Sequence, residues 1–364
     1  MKKTLIALAA LAATGAFAQS SVTIYGVVDA SVMSVSTATA AGGASQSVTG
    51  LADSSISSSI WGLRGSEDLG GGLSANFKVE SDIQANNGGM NQNGLFRRAA
   101  NVGVAGAFGG INLGVFMNPI IATNAALMPL AGNSVSTLTS TAMGYADFFT
   151  KNAVTYTSPV IAGGLVAQLQ YGMSNTVNDS SAGSMTAWSL NYVAGPLALR
   201  AAGQTRNEAA VGAANSGSNA SSAAAIAPAK EATLVGASYE FGPVKVAAAW
   251  VNSKNATTFG GAKVDRTATE LGVSYQATPA WLLGANYISA ESSTLTNLQA
   301  RYSLSKRTTL YGQYGSAAND SAGKVQFNAL ATNTGNAPAT DLGGSAAVTN
   351  ATQSGYNFGI IHTF

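Results

Sequence analysis

The chain has 364 residues, 42 glycines, no cysteine and only 9% charged side chains, against about 25% in ordinary soluble domains. Lys2 and Lys3 account for its formal net charge of +2, so 16 basic residues (18 − 2) balance 16 acidic ones in the rest of the chain. This balance argues against a nucleic-acid binder that neutralises phosphates. Helical membrane spans are excluded because no apolar run of about 18 residues occurs after the first 18.

Residues 1–18 read as a cleavable secretory leader. Lys2 and Lys3 precede the apolar run Leu5 to Ala13, and Ala16-Phe17-Ala18 supplies the small residues of a cleavage site. The segment is too short to span roughly 30 Å of hydrocarbon. The mature chain is expected to begin at Gln19, with 19–364 forming one transmembrane β-barrel.

Beyond the leader the dominant pattern is a two-residue alternation. In Leu73 to Ile83, the apolar Leu73, Ala75, Phe77, Val79 and Ile83 share one face, while Asn76, Lys78, Glu80 and Asp82 share the other. The same period groups Val22, Ile24, Val28 and Val32, then Trp188, Leu190 and Tyr192, then Val244, Val246, Ala248 and Trp250. Helical spacing explains none of these.

In chain order, sixteen strands are expected near 22–35, 54–68, 72–84, 96–108, 109–117, 152–161, 164–174, 185–195, 197–208, 232–242, 244–254, 266–278, 281–292, 295–306, 308–317 and 353–364. Many have roughly the 9–11 residues of a tilted membrane strand, and an even count returns both ends to one side. The last run sets Tyr356, Phe358, Ile360, His362 and Phe364 on one face and stops on a bulky apolar residue, as suits a strand in lipid.

Connections alternate as well. Leu69-Gly70-Gly71, Gly109-Gly110, Gly195-Pro196, Gly242-Pro243 and Thr278-Pro279 read as tight reversals. Longer polar stretches at 36–53, 85–95, 118–151, 175–184, 209–231, 255–265 and 318–352 follow the odd-numbered strands, with one short exception near 292–295. Segments 209–229 and 318–352 are low-complexity, with little to bury, and read as external loops. Short turns at one rim and long loops at the other fit an all-β, antiparallel transmembrane barrel.

Several motifs then stand in a telling order: Val22-Thr-Ile-Tyr-Gly-Val-Val-Asp29, Trp61-Gly-Leu-Arg-Gly-Ser-Glu-Asp-Leu-Gly70, Tyr302-Ser-Leu-Ser-Lys-Arg-Thr308 and His362-Thr-Phe364. Together they resemble the general-diffusion porins of Gram-negative outer membranes, most closely the β-proteobacterial group. That resemblance implies a homotrimer of sixteen-stranded barrels set in outer-membrane lipid and lipopolysaccharide. Each barrel would hold a water-filled pore for small hydrophilic solutes and ions, narrowed by the third external loop, with no cofactor. It also implies that the outer-membrane insertion machinery reads Phe364.

The third loop, 118–151, carries the apolar cluster Ala125-Ala-Leu-Met-Pro-Leu130, so it is expected to fold inward against the wall. Its charges are Asp147 and Lys151. The resemblance makes Asp147 the acidic side of the constriction and Arg64 and Arg98 its wall cations. Arg64 points inward if Trp61 and Leu63 face lipid. Arg98 shares parity with Val102 and Val104, so alternation alone would turn it outward, whereas the resemblance turns it inward. Asp29, Lys78, Glu80 and Asp82 are expected to line the lumen. Ile60, Gly114-Val115-Phe116 and Ile361 stand where the family commonly keeps basic residues, which implies a less basic channel with weak selectivity.

Other classes find little support. A barrel hydrolase needs a Ser–His pair with an orienting group, and the single histidine, His362, lies on the lipid-side parity. Cysteine and a histidine cluster, the usual zinc ligands, are both missing. Asp68-Leu-Gly-Gly-Gly72 has no following helix or Lys-Ser/Thr pair and reads as a turn. Two alternatives to passive diffusion stay open. A solute-specific channel would stack aromatic or charged groups at its narrow point, where the loop offers Tyr145, Phe148 and Phe149. A β-rich adhesin would need a core in place of a lipid belt.

Overall fold

The computed structural model describes residues 21–37, 46–90, 94–130, 148–175, 177–207, 231–257, 263–290, 293–319 and 352–364. They form seventeen strands: β1 (Ser21–Thr37), β2 (Gln46–Asp53), β3 (Ile60–Gly70), β4 (Leu73–Asp82), β5 (Ala99–Gly106), β6 (Gly109–Met117), β7 (Phe149–Thr157), β8 (Leu165–Gly172), β9 (Met185–Ala194), β10 (Leu197–Arg206), β11 (Glu231–Phe241), β12 (Val244–Thr257), β13 (Lys263–Gln276), β14 (Trp281–Ala290), β15 (Ser293–Ser303), β16 (Thr308–Asn319) and β17 (Thr352–Thr363). One helix, α1 (Pro119–Leu127), follows β6.

All pairings are antiparallel between chain neighbours, and β17 returns to β1 from Val27↔Thr363 to Val35↔Gly355. Strands β2 and β3 share one edge of β1, pairing with its second and first halves respectively. They therefore make a single stave, and the sheet is a closed sixteen-strand barrel. Closure matters because hydrocarbon offers no partner to a free sheet edge.

The pleat sorts the two faces. Outward positions are large, apolar and exposed: Ile24 at 66%, Phe358 at 65% and Val102 at 58%. On a soluble protein so broad an apolar surface would be a liability; around a membrane barrel it is the lipid belt. Many inward positions are polar, as in Ser31, Gln170, Ser189, Asn297, Gln313 and Asn357, while others, such as Met33, Leu234 and Val251, are apolar and buried. Aromatic pairs near the short turns, Tyr239 with Phe241 and Trp281 with Tyr302, have ring centroids 4.4 Å and 4.8 Å apart and form part of an interfacial girdle. At the β9–β10 and β11–β12 reversals, Gly195 (φ 56°) and Gly242 (φ 61°) take the left-handed conformation ahead of a proline.

The expected strands agree with these within a few residues, with three differences. The stretch 36–53, expected as a loop, contains β2, while 54–59, expected to open the second strand, leaves the sheet. Hydroxylic residues facing a watery lumen look the same in sequence whether paired or looped. The strand expected at 96–108 starts at Ala99. The stretch 118–151 is not loop throughout: it opens with α1, and β7 already begins at Phe149. The leader 1–18, loop residues 131–147 and the low-complexity segment 209–229 lie outside the described residues.

Local chemistry explains α1. Asn118 caps it, its Oδ1 accepting from the Ile120 N–H at 3.0 Å, and Pro119 sits in the first turn where no intrahelical N–H is needed. Met128 closes it by donating its N–H to the Asn124 carbonyl, and Pro129 prevents continuation.

Candidate functional site

On the inner face of β3 and β4 and the chain entering β5, charges gather into one network. Lys78 Nζ lies 2.8 Å from Glu80 Oε2, and Arg98 Nε lies 2.9 Å from Glu80 Oε1. Arg98 Nη1 reaches Asp82 Oδ1 at 3.2 Å, and Arg97 Nε donates to Asp82 Oδ2. The Tyr25 hydroxyl donates to Glu80 Oε2 at 2.8 Å, with the Arg64 guanidinium 5.2 Å from its ring centre and Lys78 Nζ at 5.7 Å. Phe149, at the start of β7, takes Arg97 and Arg98 at 5.3 Å and 5.2 Å. Four cations and two carboxylates leave this cluster at 4 − 2 = +2.

Both arginines point inward because the strand starts at Ala99. The alternation that would turn Arg98 toward lipid does not extend to it. Arg97, missed in the sequence, occupies the same pocket of charge; its adjacency to Arg98 was the available signal. Burial lowers the Arg97 pKa and the Asp82 carboxylate opposes that shift, but an arginine stays charged in either case. Arg64 is exposed on the lumen face, and Lys78 keeps 43% of its side chain exposed, so these two present the most open positive charge.

Across the barrel, α1 and the residues after it lie on the inner wall of β9 to β14. The fit is between large and absent side chains. An added Cβ at Gly236 on β11 would stand 2.2 Å from Leu127, one at Gly272 on β13 would stand 2.8 Å from Pro129, and one at Gly284 on β14 would stand 2.6 Å from Leu130. Ala247 and Ala249 of β12 continue the groove beneath Leu127 and Met128. Asn118 Nδ2 donates to Gln204 Oε1 at 2.8 Å, and Asn286 Nδ2 donates to the Leu130 carbonyl at 3.1 Å. The helix exposes only Ala122, Ala125 and Ala126, an uncharged stripe.

The remaining expected site residues fall differently. Asp29 has the inward parity but is fully buried and offers no open charge: Oδ2 accepts the N–H groups of Ile56 and Ser57 at 2.7 Å and 2.8 Å, and Oδ1 accepts the Tyr311 hydroxyl. Glu80 and Asp82 belong to the cation network. Asp147 lies outside the described residues, so the trio Arg64, Arg98 and Asp147 is not seen together. Phe364 exchanges two backbone hydrogen bonds with Gly26, both 3.1 Å, at the closing seam. His362 faces outward, its Nδ1 3.0 Å from Thr308 Oγ1. Two further lumenal arginines escaped the sequence reading. Arg200 donates to Asn191 at 2.8 Å and Arg301 to Gln299, and each shares parity with an inward glutamine.

Similarity to known proteins follows the same lines. Residues 4–322 match the Gram-negative porin family. The chain is 30% identical to outer membrane porin protein 32 of Delftia acidovorans over an alignment of 387 positions covering 100% of both chains. It is 40% identical over 116 residues to an outer membrane porin protein of Bordetella pertussis, covering 29% of this chain and 30% of that one. An anion-selective porin from Comamonas acidovorans superposes with a TM-score of 0.76 at 26% identity, covering 95% of this chain and 100% of its own. OmpT of Vibrio cholerae shares the fold, with a TM-score of 0.64 at 15% identity, covering 95% of this chain and 98% of its own. With a family match along most of its length and a full-length relative at 30% identity, the chain belongs to the Gram-negative porins.

Proposed function

We propose that this pore passes small hydrophilic solutes and ions without chemistry or energy coupling, with a shallow preference for anions. As a Gram-negative porin the chain is a multi-pass β-barrel of the bacterial outer membrane and a channel for passive diffusion of solutes. The preference rests on the +2 wall cluster, in which Arg64 and Lys78 open to water, facing the uncharged alanine stripe of α1. The anion-selective relative from Comamonas supports that sign. The preference stays shallow because Glu80 and Asp82 neutralise half the cations and because water screens fixed charges over about 8 Å. Ile60 and Ile361, both on the lumen parity, add no charge.

No catalytic role is assigned: His362 turns to lipid and meets a threonine rather than a serine nucleophile. Residues 1–18 act as a cleaved leader, Asp147 supplies the acidic side of the constriction, and Phe364 is read by the insertion machinery. The barrel works as a homotrimer among lipid and lipopolysaccharide. The deciding experiment is the reversal potential of single channels in a planar bilayer under a salt gradient. An anion sign is expected, and a cation sign overturns the reading. Arg98→Ala and Asp147→Ala should shift the potential in opposite directions; two unchanged potentials would remove both from the constriction.

A further inference from the structure

The stave made by β2 and β3 is longer than the strand it pairs with. Val27 faces Ile60 and Ala30 faces Asp53, so two residues of β1, Val28 and Asp29, oppose six, Ser54 to Ser59. The surplus must leave the sheet, and a serine-rich segment whose backbone has left the strand ladder cannot do so into hydrocarbon. They turn into the barrel, over the inward carboxylate of Asp29. That carboxylate accepts the N–H groups of Ile56 and Ser57, while Ser55 Oγ meets Ser31 Oγ at 2.8 Å. Ser59 Oγ accepts the Asp29 N–H at 2.9 Å and Ser54 Oγ accepts the Ser59 N–H at 2.8 Å. Asp53 Oδ1 then takes the Ala85 N–H at 3.0 Å, tying the insert to the next external loop. Ser57 and Ser58 are left half-buried at its tip. Around a ring of sixteen staves, this insert lies opposite the wall at β10 and β11, both of which α1 touches.

From this geometry we infer that segment 54–59 is a second constriction element, held in the lumen by Asp29 as a positioning residue, and that it limits solute size in this pore. The inference rests on the passive-pore reading. The absence of native cysteine permits a clean test. Ser57→Cys is modified with methanethiosulfonates of increasing size while single-channel conductance is recorded beside the unmodified protein. Conductance is expected to fall stepwise, by about twofold with a bulky adduct. Asp29→Ala should release the insert and change conductance and the size cut-off for neutral polymers. Asp29→Asn, whose amide oxygen still accepts both N–H groups, should restore native values. A bulky adduct confirmed by mass that leaves conductance unchanged overturns the inference, even if Asp29→Ala fails to fold. Loss of current in the unmodified protein would instead overturn the pore reading itself.

Discussion

Truncating the two leucines that plug the wall glycines should free the inner segment without unfolding the barrel. Leu127 and Leu130 are 0% and 1% exposed, and their partners are the glycines and alanines of β11, β12 and β14 rather than each other. A buried Leu→Ala change costs about 2–5 kcal/mol, so Leu127→Ala with Leu130→Ala removes roughly 4 kcal/mol or more from docking. At 1.4 kcal/mol per decade, that shifts the docked-to-released balance by about a thousandfold. Two polar anchors, Asn118 to Gln204 and Asn286 to Leu130, remain. The inter-strand ladder loses nothing, because neither leucine belongs to it. The double variant should therefore show noisier single-channel current and faster proteolysis within 118–151, while the temperature at which the barrel changes gel mobility stays put. Quiet current with intact protease resistance would refute this account of the docking, as would a large drop in that temperature.

Further expectations follow from the same contacts. Gly272→Ala places a Cβ 2.8 Å from rigid Pro129 and 3.0 Å from Asn286 Oδ1; it should reproduce the noise of the leucine variant in bilayer recordings. Asn118→Ala removes the helix cap and the Gln204 bond, costing about 1–2 kcal/mol, and should raise proteolysis of the loop less than the double leucine change. Asp82→Asn takes the wall cluster from +2 to +3 by losing one carboxylate charge, so the reversal potential under a salt gradient should move toward anions. Removing Phe364 deletes the Gly26 pairing at the seam; the expected results are less protein inserted in the outer membrane and a lower temperature for the mobility change.

Strand positions were readable because the pleat imposes a period of two, and because one face of this sheet meets lipid and the other water. Runs such as Leu73 to Ile83 carry that contrast in their own residues. Arg98 shows where the rule stops. It lies just before β5, outside the pleat, and its direction is set by Glu80 and Asp82 on β4. The inward fold of Ala125 to Leu130 was legible from its apolar character, whereas the cap formed by Asn118 and Pro119 passed unread although it is a local signal for α1.

By itself the sequence determined the all-β class, the number of staves and the lipid-facing side of runs such as Val22 to Val32, Leu73 to Ile83 and Tyr356 to Phe364, since these depend on periodicity and turn chemistry within short windows. Tertiary structure alone decided which glycines receive Leu127, Pro129 and Leu130, how the cations share Glu80 and Asp82, and that Asp29 grips an inward insert instead of lining open water. Those outcomes depend on register between distant staves, and a polar residue facing water carries no mark of the partner it will meet.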